Sequence, residues 1–145
     1  MKQTYRLHAK HKPRLLFAMM RVLAGEDAAI SFEGRLSHTD LVKIEGVRFE
    51  ETNLLRRGTT QPLLDFVVLP LTPALVPTIE KAVHSKIAFT RYAGIVHVQI
   101  VAHSEIAFAA YDHFHEKCVT AYPAVPVELL AELVEQRVLH SYETK

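Results

Sequence analysis

Apolar residues recur at helical spacing in three segments of the chain. The first, PRLLFAMMRVLAG, begins with Pro13, which suits a first helical turn, and ends at Gly25, which suits a helix C-terminus. A second helix is predicted over PALVPTIEKAVH after Thr72, and Pro77 indicates that it begins late or kinks. The segment VPVELLAELVEQRVLHSYE, from residue 125, carries a continuous leucine and valine stripe and predicts a C-terminal helix.

Other segments alternate between apolar and polar residues, or are short apolar runs, and these patterns predict strands. The predicted strands are AAISFEGRL, LLDFVVLPL, KIAFTRY, GIVHVQIVA and EIAFAAY. The run LLDFVVLPL is apolar throughout except for Asp65, which favours a central strand covered on both faces. Between residues 37 and 62 the pattern is weaker. It indicates a short helix over SHTDLVKI, capped by Ser37 or Thr39, and a strand over GVRFEE with Val47 and Phe49 inward.

Together these elements predict one α+β domain over residues 1–145. We expect a mainly antiparallel sheet of about five strands with about three helices packed on it, because short separators such as His103–Ser104 join successive strands as hairpins. A chain of 145 residues is long enough to bury a full core without a metal or a disulfide.

Charge is distributed unevenly, although the net charge is only +1. The first 14 residues contain five basic side chains and no acidic one, so the remainder of the chain is mildly acidic. Residues 1–12 are therefore either a basic arm that contacts nucleic acid or an edge strand protected by charge. Tyr5, Leu7 and Ala9 alternate with polar residues, which favours the strand, and nucleic acid is not the expected partner.

Cysteine content and hydropathy bear on the compartment. Cys118 is the single cysteine, so no disulfide can form within the chain. The longest apolar run, residues 63–70, is too short to span a bilayer, and the N-terminal segment has no recognisable cleavage site. These features predict a cytoplasmic protein without a membrane segment.

The segment AAYDHFHEKCVTAY, residues 109–122, holds the densest group of reactive side chains. The simplest interpretation is a turn after the last hairpin strand, with Tyr111 and Phe114 in the core. An alternative is a metal site in which His113, His115 and Cys118 are joined by His97 or His103, although the spacing fits no zinc motif. A thiol enzyme with Cys118 activated by His97 or His115 is a further alternative.

Arg56, Arg57, Gly58 and Thr59 form a second candidate for chemistry, as a phosphate cradle. Phosphate loops of this kind normally join a strand to a helix through a glycine-rich turn. No such signature surrounds these residues, so an exposed turn is the favoured interpretation.

The sequence lacks a Walker loop, a dinucleotide fingerprint, a nucleophile elbow and an H-E-x-x-H motif. We therefore expect a binding module without catalytic activity or cofactor, acting on another protein. The most concrete form is an immunity or antitoxin-type inhibitor that neutralises a toxin, such as a nuclease, by stoichiometric binding. The alternative is a small metal- or thiol-dependent enzyme that uses the segment Asp112–Cys118. The candidate partner-binding residues are Glu45, Glu50, Glu51, Asp112, His113, His115 and Glu116.

Overall fold

The computed structural model describes residues 3–84 and 94–145, which form one antiparallel sheet with three helices. The α+β class, the three helices and the antiparallel sheet are as predicted. The helices are α1 (Lys12–Leu23), α2 (Val76–Val83) and α3 (Val127–Glu135), with a 3-10 helix over Asp40–Lys43. The strands are β1 (Tyr5–Ala9), β2 (Ala29–Gly34), β3 (Asp65–Pro70), β4 (Ile95–Ala102), β5 (Glu105–Ala110), β6 (Val119–Ala121) and β7 (Leu139–Thr144).

Within the part of the chain that the structure describes, the sheet has seven strands in the order β3-β2-β4-β5-β6-β1-β7, so the prediction of about five strands was too low. β1 pairs with β6 on one side and with β7 on the other. Residues 5–9 are therefore an interior strand, neither a free basic arm nor an edge strand. β6 has only three residues, too few to show an alternating pattern in the sequence.

The C-terminal helix is shorter than predicted, because α3 ends at Glu135 and the chain returns as β7. Arg137 adopts a left-handed conformation (φ 62°), and the backbone N–H of Val138 donates to the carbonyl of Leu133 at 2.8 Å. This is the hydrogen-bond pattern that closes a helix at a left-handed residue, which is usually glycine. Arginine at this position explains why the sequence pattern did not predict the end of the helix.

Two predicted strands occupy other places than expected. GVRFEE contributes only an isolated bridge between Arg48 and Val68, and the side chain of Phe49 is 55% exposed rather than inward. Within residues 3–84 and 94–145, β3 lies at the end of the strand order rather than in its centre, with β2 as its only full partner, although the side chains of Phe66–Leu69 are buried. The predicted strand KIAFTRY lies outside the described residues.

The two faces of the sheet differ in chemistry. Phe32, Val98, Ile100 and Phe108 belong to the main hydrophobic core, to which all three helices contribute buried residues. The side chains that alternate with them point to the opposite face. There a smaller apolar cluster, formed by Leu55, Phe66, Val68 and Val101, lies next to a group of buried polar residues. That polar group positions the candidate site.

Candidate functional site

Four buried polar side chains lie side by side on the face of the sheet opposite the helices. β2 contributes Ser31 and Glu33, and β4 contributes Gln99 and His97, which are their Cα partners. Glu33 is only 2% exposed and His97 only 4%. Because a buried charged or polar group is costly unless it is hydrogen-bonded, the partners of these four side chains explain how the fold tolerates them.

Most of those partners belong to an irregular segment between the Arg48 bridge and β3, which we name the 48–64 loop (residues 48–64). Leu55 is buried against the sheet in the smaller apolar cluster and anchors the middle of this loop. The backbone N–H of Leu55 donates to Thr52 Oγ1 at 3.0 Å, and the N–H of Thr52 donates to the Leu55 carbonyl at 3.0 Å. The loop is thus closed on itself as well as attached to the sheet.

Glu33 holds the loop through its carboxylate. The backbone N–H of Gly58 donates to Glu33 Oε1 at 2.7 Å, and that of Thr59 donates to Oε2 at 3.2 Å. Hydrogen bonds to an ionised carboxylate are stronger than neutral ones. Residues 56–59, for which an exposed turn was favoured over a phosphate cradle, thus direct two consecutive N–H groups at the protein's own carboxylate.

His97 is bound at both ring nitrogens. Its Nδ1 accepts the backbone N–H of Asp112 at 3.1 Å, and its Nε2 lies 2.8 Å from Thr59 Oγ1. Because a backbone N–H can only donate, Nδ1 must carry the lone pair, and the proton of the neutral ring lies on Nε2. Nε2–H then donates to the hydroxyl of Thr59. Burial lowers the pKa of His97, and this effect outweighs the nearby carboxylates of Glu33 and Asp112, which raise it.

Gln99 uses both ends of its amide in the same network. Its Oε1 accepts the backbone N–H of Arg56 at 3.1 Å and the hydroxyl of Ser31 at 3.4 Å. Its Nε2 donates to the hydroxyl of Tyr111 at 2.7 Å. Burial is the main reason that the pKa of Tyr111 is raised. Gln99 therefore links the 48–64 loop to the end of β5, as His97 does.

The chain leaves β5 in a compact turn that we name the 111–118 turn (residues 111–118). Asp112, His113 and Phe114 all have left-handed backbone conformations, with φ of 51°, 58° and 61°. For residues other than glycine this conformation costs about 1–2 kcal/mol per residue. Contacts with the sheet oppose this cost, since the N–H of Asp112 binds His97 and that of His113 donates to the Val96 carbonyl at 2.8 Å.

The predicted partner-binding residues lie in or beside these two segments. Glu45 and Glu50 are exposed near the start of the 48–64 loop. Glu51 is also exposed, and its carboxylate binds Arg56 Nε at 2.9 Å and the backbone N–H of Arg57 at 3.2 Å.

The remaining candidates lie in the 111–118 turn. Asp112, His115 and Glu116 are exposed, and His113 is partly exposed. The interpretation of this segment as a turn agrees with the structure, with Phe114 buried and Tyr111 partly exposed.

The 48–64 loop and the 111–118 turn are far apart in the sequence. In the structure both of them bind His97. His97 was considered only as a metal ligand or base, and Glu33 and Gln99 were not singled out at all. The available signal was the occurrence of polar side chains on one side of two strands rich in valine and isoleucine.

The proposed metal ligands do not converge. Both nitrogens of His97 are hydrogen-bonded, and His115 Nδ1 accepts the backbone N–H of Lys117 at 3.2 Å. His103 lies next to Asp27 instead, with its Nδ1 3.6 Å from Asp27 Oδ2. Across residues 3–84 and 94–145, no group of three or more His, Cys, Asp or Glu side chains is arranged to hold a metal ion.

The Cys–His arrangement of a thiol enzyme is not formed either. The Cys118 thiol donates to Asp112 Oδ2 at 3.9 Å, which is its single side-chain hydrogen bond within the described part of the chain. A thiol nucleophile needs a neighbouring base or a positive environment, and a carboxylate neighbour supplies no positive charge.

Two depressions open beside the polar network. One, of about 300 Å³, lies between Arg56, His97 and Asp112, where the two segments meet. The other, of about 490 Å³, lies between the 48–64 loop and β3 and has mainly apolar walls that include Phe49, Leu63 and Phe66. Leu63 is 70% exposed at its edge.

Comparison with family models, with curated proteins and with solved structures finds no match to this chain. Among the helices that the structure describes, none combines the length and the apolar character required to cross a membrane.

Proposed function

We propose that this protein is a non-catalytic binding module that neutralises a partner protein by stoichiometric binding, in the manner of an immunity protein or antitoxin. The binding site is the combined surface of the 48–64 loop and the 111–118 turn, which we name the two-loop surface. A toxin domain, such as a nuclease in the same cytosol, is the proposed partner. The observation that carries this proposal is the attachment of both segments to one buried side chain, His97.

A long loop binds a partner well when it is already ordered, because less conformational entropy is then lost on association. The 48–64 loop is tied to the sheet through Glu33, His97 and Gln99, and Leu55 fills an apolar cluster beneath it. The loop therefore resembles a preformed recognition surface more than a mobile connection.

Apolar side chains on this loop provide the anchors that such a surface needs. Phe49 is 55% exposed and Leu63 is 70% exposed, and both border the 490 Å³ depression. Binding energy in protein interfaces is concentrated in a few large side chains of this type, surrounded by polar groups. Phe49 and Leu63 thus place two large apolar side chains at the edge of one depression, where a partner can cover them.

The charges of the two-loop surface are balanced, with four acidic and four basic side chains: Glu50, Glu51, Asp112 and Glu116 against Arg48, Arg56, Arg57 and Lys117. Glu45, Glu50, Asp112 and Glu116 are exposed, and charged rims of this kind direct association and fix orientation. Glu51 is already paired with Arg56, so we assign recognition chiefly to shape and apolar contact.

The protonation state of His97 supports binding rather than catalysis. A general base for the Thr59 hydroxyl would need a lone pair on Nε2, but the Asp112 N–H places the lone pair on Nδ1. In this arrangement His97 donates to Thr59 and cannot remove its proton. The network is thus suited to holding the two segments in place.

The test is co-expression with the product of the neighbouring gene, followed by purification of a complex and a toxicity or nuclease assay. We expect a 1:1 complex in which the partner's activity is blocked. Replacing Phe49 and Leu63 together with alanine should weaken binding by about 100-fold or more, as expected for two anchor residues.

Val22→Ala is the matched control, because Val22 is also an exposed apolar side chain (42%) but lies on α1. It should bind like the wild type. Equal loss of binding in the control and the double variant, or undiminished binding by the double variant, would contradict the proposed surface.

A further inference from the structure

We propose that His97 is a pH-operated latch: protonation of Nδ1 breaks the hydrogen bond that holds the Asp112 N–H to β4 and thereby loosens the start of the 111–118 turn in the two-loop surface. The loss of this hydrogen bond is a property of the free protein. The consequence for binding, that the partner is released as the pH falls, rests on the proposed function.

The geometry at Nδ1 makes the latch depend on the neutral ring. Nδ1 accepts the N–H of Asp112 at 3.1 Å, so it must have a free lone pair. The imidazolium has a proton on both nitrogens and accepts no hydrogen bond. Protonation would therefore set two N–H groups against each other, and the Asp112 N–H would lose its acceptor.

The hydrogen bond at the other ring nitrogen, Nε2, is compatible with the protonated ring. Nε2 lies 2.8 Å from Thr59 Oγ1, and a hydroxyl oxygen can accept from either the neutral or the charged ring. Protonation thus acts selectively on the 111–118 turn, while the contact with the 48–64 loop is retained.

The charged and titratable groups around His97 act in both directions. The carboxylates of Glu33 on β2 and of Asp112 in the turn favour the imidazolium, whereas His113 and burial oppose it. The ring of Tyr111 packs edge-on against His97 at 5.3 Å, and Arg56 and Arg57 line the same depression. The net effect of burial and these charges is to lower the pKa of His97, which keeps the latch closed at neutral pH.

The turn itself is suited to opening when this contact is lost. Asp112, His113 and Phe114 are all held in left-handed conformations, which such residues adopt only when surrounding contacts impose them. Within the described residues, the turn keeps the bond from His113 N–H to the Val96 carbonyl and that from Gln99 Nε2 to the Tyr111 hydroxyl. Phe114 also stays buried in the main core, so the opening concerns the start of the turn.

The experiment follows the ring of His97 and the backbone amides by NMR in the free, full-length protein. We expect the His97 ring to titrate below pH 6.5, as its lowered pKa requires. The exchange protection of the Asp112 and His113 amides should fall by about tenfold or more across the same titration, as expected when local opening replaces a closed hydrogen bond. The Val98 amide in β4 should remain protected and serves as the internal reference.

Three variants distinguish the effect of protonating His97 from that of protonating the nearby histidines. His97→Gln keeps an acceptor and a donor but cannot be protonated. The exchange protection of the Asp112 amide should therefore no longer depend on pH. His113→Gln and His115→Gln should retain it. Unchanged protection of Asp112 in the wild type while His97 titrates would overturn the proposal, and so would the same loss of protection in His97→Gln.

This experiment needs no partner, so its result is independent of the proposed function. If the latch operates but the affinity for a purified partner does not change with His97 protonation, the latch stands and the partner-binding site lies elsewhere. If the latch fails, binding through the two-loop surface is still tested by the Phe49 and Leu63 variants.

Discussion

Glu33 and His97 are Cα partners on β2 and β4, and both side chains bind Thr59 of the 48–64 loop. Glu33 accepts the backbone N–H of Thr59, and His97 binds its hydroxyl. His97 also binds the 111–118 turn through Asp112. A pair of neighbouring residues in the sheet thus holds two segments that are far apart in sequence, and the predictions below test the strength and the purpose of that attachment.

Removing the Glu33 carboxylate should destabilise the fold. Glu33→Ala leaves the N–H groups of Gly58 and Thr59 without their acceptor in a partly buried site. We expect the free energy of unfolding to fall by about 1–3 kcal/mol, measured by urea denaturation, because hydrogen bonds to a charged group contribute about 1.5–3 kcal/mol and water partly replaces the lost acceptor. Glu45→Ala removes an exposed carboxylate and should change stability by less than about 0.5 kcal/mol. Similar effects of both substitutions would contradict a structural function for Glu33.

Gly58 should not tolerate a side chain. A Cβ at this position would lie 2.9 Å from His97 Cδ2 and 3.0 Å from its Nε2, so the ring or the loop would have to move. We expect Gly58→Ala to lower the free energy of unfolding by about 1–3 kcal/mol, the usual cost of overpacking. Gly25→Ala is the control, because its nearest neighbour, Asp27 Oδ1, is 3.7 Å away. If Gly58→Ala is as stable as Gly25→Ala, the loop does not pack on His97 as described.

Stability should depend on pH through His97. Its pKa is lower in the folded protein than the ordinary value of 6.5, so below pH 6.5 the unfolded chain binds a proton that the folded chain does not. The stabilisation from the neutral ring is therefore complete above pH 6.5 and decreases as the pH falls toward the folded-state pKa. Urea denaturation from pH 8 to pH 5 should show a smaller decrease in His97→Gln than in the wild type. The chain has nine histidines, so this difference is the informative quantity, and identical pH profiles would contradict the assignment.

The left-handed turn predicts a stabilising substitution. His113 has φ 58°, a conformation that glycine adopts without steric cost. We expect His113→Gly to raise the free energy of unfolding by about 0.5–1 kcal/mol, since relief of the left-handed strain exceeds the added entropy of the unfolded chain. His115 is outside this run, so His115→Gly should be neutral or destabilising. A lower free energy of unfolding in His113→Gly would contradict this prediction. It would show that the His113 side chain stabilises the fold by more than the left-handed backbone conformation destabilises it.

Much of the fold follows from local sequence patterns. α1, β2, β4 and β5 were predicted because their apolar periodicity is regular. The late start of α2 agrees with the position of Pro77 in its first turn. The formation of these helices and strands depends mainly on residues close together in the sequence, so their pattern is visible in a single sequence.

The errors concern elements fixed by distant contacts. β1 and β7 pair with each other across almost the whole chain, and no local pattern indicates such a partner. The end of α3 depends on Arg137 in a conformation that favours glycine, so the usual stop signal is missing. The candidate site also depends on contacts between distant parts of the chain. The register of β2 and β4 and the position of the 48–64 loop bring its residues together: Glu33, Thr59, His97 and Asp112.

The most direct measurement of the central claim is the hydrogen-exchange footprint of the purified partner on this protein. We predict that binding protects amides in both the 48–64 loop and the 111–118 turn, including those of Gly58 and Asp112, and leaves α1 and the outer edge of β7 unchanged. A footprint confined to the helices or to β7, with neither segment protected, would contradict the account.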